Sequence, residues 1–217
     1  MVIDAYFDPI CPWCYIGKRR MAQALALRPD IRATINWLPF LLNPDMPENG
    51  IRRDHYLLGK FGSESRVRRL LGALEEFGQS EEIDFRFSNI EYTPSTIDAH
   101  RLVHYAAITD STSKTASTIV EMLFAAFFNK GLDIGNYDVL LNIAVTAGLE
   151  KNGVENALDG AVESSWVVEE NAKAHRLGIN GVPCYIIDGQ FAIQGAQPAN
   201  VMVKLLDSAN INISQTG

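Results

Sequence analysis

The chain has 217 residues, 47% of them hydrophobic and 21% charged, enough apolar material to bury one large core or two small ones. That composition excludes a disordered or collagen-like chain. With 19 Lys and Arg against 26 Asp and Glu the formal net charge is −7, so the average surface repels phosphate backbones and anionic lipid, and neither nucleic acid nor membrane is expected as a partner.

Met1 to Asp8 contains no basic n-region and no apolar stretch of signal-peptide length, and runs such as Met122 to Phe128 fall far short of the roughly 20 residues that span a bilayer. A cytoplasmic protein is expected. Val2 to Asp8 reads as a short strand broken by Asp8-Pro9. Tyr15, Ile16, Met21, Ala22, Leu25 and Ala26 then recur at helical spacing, which predicts a helix from about Pro12 to Leu27. Ile31 to Leu38 alternates as a second strand. From Asp54 to Gly178 the pattern is mostly helical, over 65–77, 96–108, 115–129, 137–147 and 162–177, with Glu82 to Thr93 as an extended connector of open structure. After Gly178, Cys184 to Asp188 and Gln190 to Gln194 read as strands joined at the hairpin dipeptide Asp188-Gly189, and Pro198 to Ala209 as a closing helix. A β-α-β start and a β-β-α end with only helices between predict an α/β fold. Residues 1–44 and 179–217 would share one sheet, with 45–178 inserted as a helical module.

The cysteines are Cys11, Cys14 and Cys184, too few for a structural disulfide framework. Cys11-Pro12-Trp13-Cys14 falls between a strand and a helix, so the two sulfurs share the first helical turn at a separation a disulfide can bridge. With Cys11 at the N-cap, Pro12 fills a slot where its missing N–H costs nothing. The N–H groups of Trp13 and Cys14 would point at the Cys11 sulfur, and the positive helix end favours its thiolate. Cys11 is thus the expected exposed nucleophile and Cys14 the deeper, resolving thiol. A zinc site would need further ligands, and no second C-x-x-C exists. His100 and His104 are spaced i, i+4, but Arg101 stands where a metalloprotease has Glu, so ordinary helix residues are expected and no metal. His55 and His175 stand alone. The basic runs Lys18-Arg19-Arg20 and Arg66, Arg68, Arg69 read as solvated helix faces. Val182-Pro183, just before an apolar run, is either a trans-proline loop or a cis bond exposing a backbone edge to an extended substrate.

Three segments, Asp8 to Gly17, Ala99-His100-Arg101-Leu102 and Gly178 to Pro183, together resemble the DsbA family of thiol-disulfide oxidoreductases, and within it the FrnE-like branch. Phe127 to Gly148, with Gly131-Leu132-Asp133-Ile134, is similar to that branch as well. The resemblance implies a thioredoxin-like fold with an inserted helical module, Cys11 as nucleophile, Cys14 as resolving thiol and a cis Pro183. Trp13, Val182 and Pro183 would bind substrate. Disulfide-containing proteins or small molecules would be the partners, with no cofactor beyond glutathione as a candidate thiol co-substrate. Three positions depart from the family. Ala5 stands where thioredoxin-like proteins often bury an acid, which leaves Asp8 as candidate proton-transfer group or as a strand-end cap. Trp13 replaces the histidine of strongly oxidising members, and Cys184, expected to be a buried inert thiol, follows the proline. The runner-up reading is a glutathione-dependent transferase or isomerase of the kappa transferase or 2-hydroxychromene-2-carboxylate isomerase type, although those typically carry serine at the position of Cys11. A non-catalytic binding module is the third.

Overall fold

The computed structural model describes residues 1–159 and 162–216. Strands β1 (Val2–Phe7), β2 (Thr34–Pro39), β5 (Cys184–Ile187) and β6 (Phe191–Gln194) form one sheet in the order β2-β1-β5-β6. The β1–β2 pair is parallel and therefore needs a crossover, supplied by α1 (Pro12–Ala26). The other two pairs are antiparallel, so the C-terminal hairpin docks directly on the N-terminal strand. Inner strand β1 is buried on both faces: Ile3, Ala5 and Phe7 enter the main core, while Tyr6 packs with Phe40, Ala174, Ile179 and Cys184 on the other side. Pairing starts at Val2 with Thr34, so Ile31 to Ala33 lie in the preceding loop rather than in the strand their alternation suggests. Ile187 pairs with Phe191, so the loop holds Asp188, Gly189 and Gln190 rather than the dipeptide alone; Asp188 and Gly189 both take positive φ, and the Gln190 N–H closes the turn on the Ile187 carbonyl at 3.0 Å.

The middle of the chain holds α2 (Arg53–Phe61), α3 (Glu64–Ser80), α4 (Ile97–Thr109), α5 (Lys114–Phe124), α6 (Tyr137–Thr146), α7 (Lys151–Asp159) and α8 (Val162–Arg176). It is not helical throughout. Strands β3 (Ile51–Arg52) and β4 (Tyr92–Thr93) pair antiparallel, and the connector at 82–93 supplies both β4 and a short 3₁₀ turn at Phe87–Asn89. Two-residue strands carry no periodicity, which is why alternation alone misses them. The helix expected over 115–129 leaves the α pattern at Ala125–Asn129, a π turn in which the Lys130 N–H reaches the Ala125 carbonyl at 3.2 Å. The closing helix α9 (Ala199–Thr216) runs beyond the point at Ala209 where the apolar pattern stops.

Lys18, Arg19 and Arg20 are not a solvated face. Lys18 and Arg19 both bind Glu121 of α5, at 2.6 and 2.5 Å, and Arg20 binds Glu81 at 2.6 Å and the Ala196 carbonyl at 2.6 Å. They tie α1 to the helical module, an outcome that charge pattern cannot distinguish from exposure. Arg66, Arg68 and Arg69 are exposed, as expected. A single continuous apolar cluster includes Phe7, Cys14, Leu74, Leu102, Phe124, Tyr185 and Met202, so sheet and inserted helices share one core. Among the described residues no helix is long and apolar enough to cross a membrane, and no group of three or more His, Cys, Asp or Glu could hold a metal ion.

Candidate active site

After β1 the chain turns at Asp8-Pro9, where the Asp8 Oδ1 accepts the Ile10 N–H at 3.1 Å and its carbonyl accepts the Cys11 N–H at 2.9 Å. Cys11 occupies the N-cap of α1 with extended backbone, followed by Pro12 in the first turn. Its sulfur, however, caps no backbone N–H. The Cys14 N–H instead bonds the Cys11 carbonyl at 3.0 Å, and the Cys11 thiol turns to the Val182 carbonyl at 3.7 Å. The expectation of N–H groups aimed at the sulfur is therefore corrected: the first turn satisfies its own amide.

Cys11 is also less exposed than expected, at 5%, the same as Cys184. What separates the two is their surroundings. Cys11 forms part of the wall of a cavity of ≈ 270 Å³, whereas Cys184 lies in the small cluster with Tyr6 and Phe40, where burial pushes its thiol up. Cys14 is 1% exposed, and burial, then the neighbouring Cys11 thiol, holds it well above the ordinary thiol range.

The Val182–Pro183 peptide bond is cis. Pro183 is buried, and its carbonyl accepts the Gly195 N–H at 2.7 Å. Gly17 of α1 lets this loop approach: a Cβ there would fall 2.8 Å from Pro183 Cγ and 2.7 Å from Tyr185 Oη. Trp13 and Val182 are half-buried and line the cavity with Cys11, the Trp13 ring lying 5.3 Å from that of Phe77.

Asp8 is 0% exposed, with Oδ2 accepting the Leu42 N–H at 2.8 Å and a further hydrogen bond from the Thr96 side chain. Burial outweighs these bonds and pushes its carboxyl up to about 6. It acts electrostatically on Cys14, so the structure brings Asp8, Cys11, Cys14, Trp13, Val182 and Pro183 into one region. His100, by contrast, packs edge-on against Phe7 at 5.0 Å, and burial lowers its pKa to about 3. Arg101 binds Asp98 at 2.7 Å and the Ala157 carbonyl at 2.8 Å, a tie from α4 to α7.

The opposite wall of the cavity comes from residues the sequence did not single out. Arg53 and Lys60 of α2 and Leu70, Leu71 and Leu74 of α3 face the Cys11 side. The available signal is helical: Arg53, Leu57 and Lys60 fall on one face of α2, so an apolar stripe there carries cations.

The sequence profile of the DSBA-like thioredoxin domain matches residues 2–207. The chain belongs to that family. Its fold is similar to that of a probable DsbA oxidoreductase from Streptomyces coelicolor, at 27% identity and a TM-score of 0.87 over 96% of this chain and 89% of that one. A 2-hydroxychromene-2-carboxylate isomerase matches at 16% identity and 0.70, covering 99% of this chain and 98% of its own. The cytosolic disulfide reductase DsbM from Pseudomonas aeruginosa, solved with GSH, matches at 16% identity and 0.66, covering 99% and 98%. The fold is accordingly the thioredoxin-like α/β fold of DsbA proteins, a family of thiol-disulfide oxidoreductases acting on disulfide substrates.

Proposed function

We propose that this DsbA-like chain is a dithiol-disulfide oxidoreductase of the FrnE-like branch, with Cys11 as nucleophile and Cys14 as resolving thiol. The observation that carries the reading is the pairing of a cavity-lining sulfur with one packed behind it at the start of the same helix: Cys11 borders the cavity, whereas Cys14 does not and lies at 1% exposure. The Cys11 thiolate attacks one sulfur of a substrate disulfide, and the other half leaves as a thiolate that takes a proton from solvent. Cys14 then attacks the Cys11 sulfur, releasing the second half and closing the Cys11–Cys14 disulfide, so two electrons pass to substrate. With its carboxyl at about 6, Asp8 is mostly ionised at neutral pH and accepts the proton that Cys14 must lose. Trp13, Val182 and Pro183 hold the substrate beside Cys11.

A thiol such as glutathione, as co-substrate, restores the dithiol, and no bound cofactor takes part. The cytosolic description of DsbM supports a cytoplasmic setting. The test is turnover of hydroxyethyl disulfide with glutathione as donor: Cys11→Ser abolishes it, and Cys14→Ala accumulates a mixed disulfide on Cys11 detectable by intact mass. Full turnover by Cys11→Ser would overturn the reading. The cavity beside Cys11 also suits a glutathione-dependent transferase or isomerase, in which Cys14 is dispensable. A Cys14→Ala variant that keeps full catalytic rate without trapping a mixed disulfide would favour that second reading.

A further inference from the structure

The cavity at Cys11 contains a cation without a counter-ion. Arg53 opens α2, and the β3–β4 ribbon fixes its position, its N–H bonded to the Glu91 carbonyl at 2.9 Å. The side chain is 8% exposed and lies over two aromatic rings, with Cζ 5.8 Å from the Phe87 centroid and 5.6 Å from that of Phe127. Its Nε is buried with no hydrogen-bond partner, and among the described residues no carboxylate pairs with it. Flanking Arg52 and Asp54 satisfy each other at 3.2 Å. Lys60, on the same face of α2, lines the cavity and donates to Tyr56 Oη at 2.8 Å. Among the described residues no Asp or Glu borders the space, although the chain as a whole carries −7.

An unpaired buried charge is costly unless something satisfies it. Burial lowers the Arg53 pKa to about 10, which still leaves the group charged at neutral pH. A guanidinium offers a planar fork matched to a carboxylate, and apart from Lys60, Tyr56 and the Thr93 hydroxyl the remaining walls, such as Trp13, Leu57 and Leu74, are mostly apolar.

We propose that Arg53 is the carboxylate-binding residue of this cavity, and that the substrate is a small disulfide bearing a carboxylate on an apolar, aromatic-sized body whose sulfur reaches Cys11. The sulfur step rests on the dithiol reading, while the carboxylate site rests on the cavity alone, so each is tested separately. Binding is read by calorimetry with phenylpropionate, which carries no sulfur, and with its neutral analogue phenylpropanol. Saturable binding of the acid and not of the alcohol by the wild-type protein is expected. Arg53→Met should lose that binding and Arg53→Lys keep part of it. Equal binding of acid and alcohol, or binding of neither, overturns the assignment without reference to any variant's folding.

Reaction is read with the reduced protein and dithiobis(nitrobenzoate). Here Cys11 and Cys14 are oxidised to their disulfide, the reagent's S–S bond is reduced to two nitrothiobenzoate thiolates, and two protons go to solvent. Against neutral dithiodipyridine, Arg53→Met should slow this acidic reagent selectively by about tenfold or more. Equal slowing of both reagents overturns the substrate class. If the acid binds through Arg53 and neither reagent oxidises the cysteine pair, the dithiol reading fails and the carboxylate site stands.

Discussion

Asp8 is a carboxyl held by two backbone N–H groups and a side chain in a place without solvent, and burial wins the competition. Its pKa of about 6 in the folded protein, against 3.8 as the ordinary value, means that the native state keeps a proton the unfolded chain has released. Stability from that proton is complete below about pH 4 and is lost as pH rises through about 6, in all about 3 kcal/mol. His100 acts with the opposite sign. Its pKa of about 3 lies below the ordinary 6.5, so the native state loses stability as pH falls below that ordinary value. Comparing wild type with Asp8→Asn cancels the His100 contribution. The stability advantage of wild type over Asp8→Asn should therefore shrink by most of this, about 2.4 kcal/mol, between about pH 4 and about pH 7, read by urea denaturation. A difference that stays flat across this range would show that Asp8 titrates normally. The place of Asp8 before the cysteines was legible in the sequence, but its burial was not, since Leu42 and Thr96 reach it from distant segments.

Helix α1 joins the chemistry to the sheet, and one glycine sets how closely. A Cβ at Gly17 would meet Tyr185 Oη and Pro183 Cγ inside normal contact distance, and both belong to the loop and strand that carry Val182. Alanine is the better helix former by about 1 kcal/mol, but overpacking against strand and proline ring costs about 1–3 kcal/mol. Gly17→Ala should therefore lower the melting temperature and also slow disulfide turnover, because the Cys11–Val182 approach depends on this contact. Unchanged melting and turnover would mean that the loop yields freely. The helix itself was readable from its apolar spacing. The β3–β4 ribbon that sets the start of α2 was not, because its strands carry only the pairs Ile51–Thr93 and Arg52–Tyr92.

The whole molecule is closed by its ends: β1 pairs with β2 on one side and with β5 on the other, and the helices inserted between them share the same core. Ion pairs from Lys18, Arg19 and Arg20 reinforce that junction. Because one apolar cluster runs without a break from the sheet into the inserted helices, denaturation should be a single transition. Tryptophan fluorescence, reporting Trp13 in α1, Trp37 in β2 and Trp166 in α8, and far-ultraviolet circular dichroism should give coincident urea midpoints. Two separated midpoints would show that the helical module folds independently.

Local chemistry is written along the chain, and the sequence by itself determined what depends on it. Cys11-Pro12-Trp13-Cys14 at a strand-to-helix junction, the periodicity of α1 and α4, and Asp188-Gly189 as a hairpin turn all follow from preferences of adjacent residues. Tertiary structure decided what lies across space. It turned the Cys11 sulfur to Val182 instead of its own helix, made Cys11 and Cys184 equally buried on different surroundings, and converted a basic run into ion pairs. It also placed Arg53 over Phe87 and Phe127 at the cavity beside Cys11. Burial and partners are properties of packed surfaces, and which residues of a distant segment pack against a site is fixed only when the sheet closes from both ends.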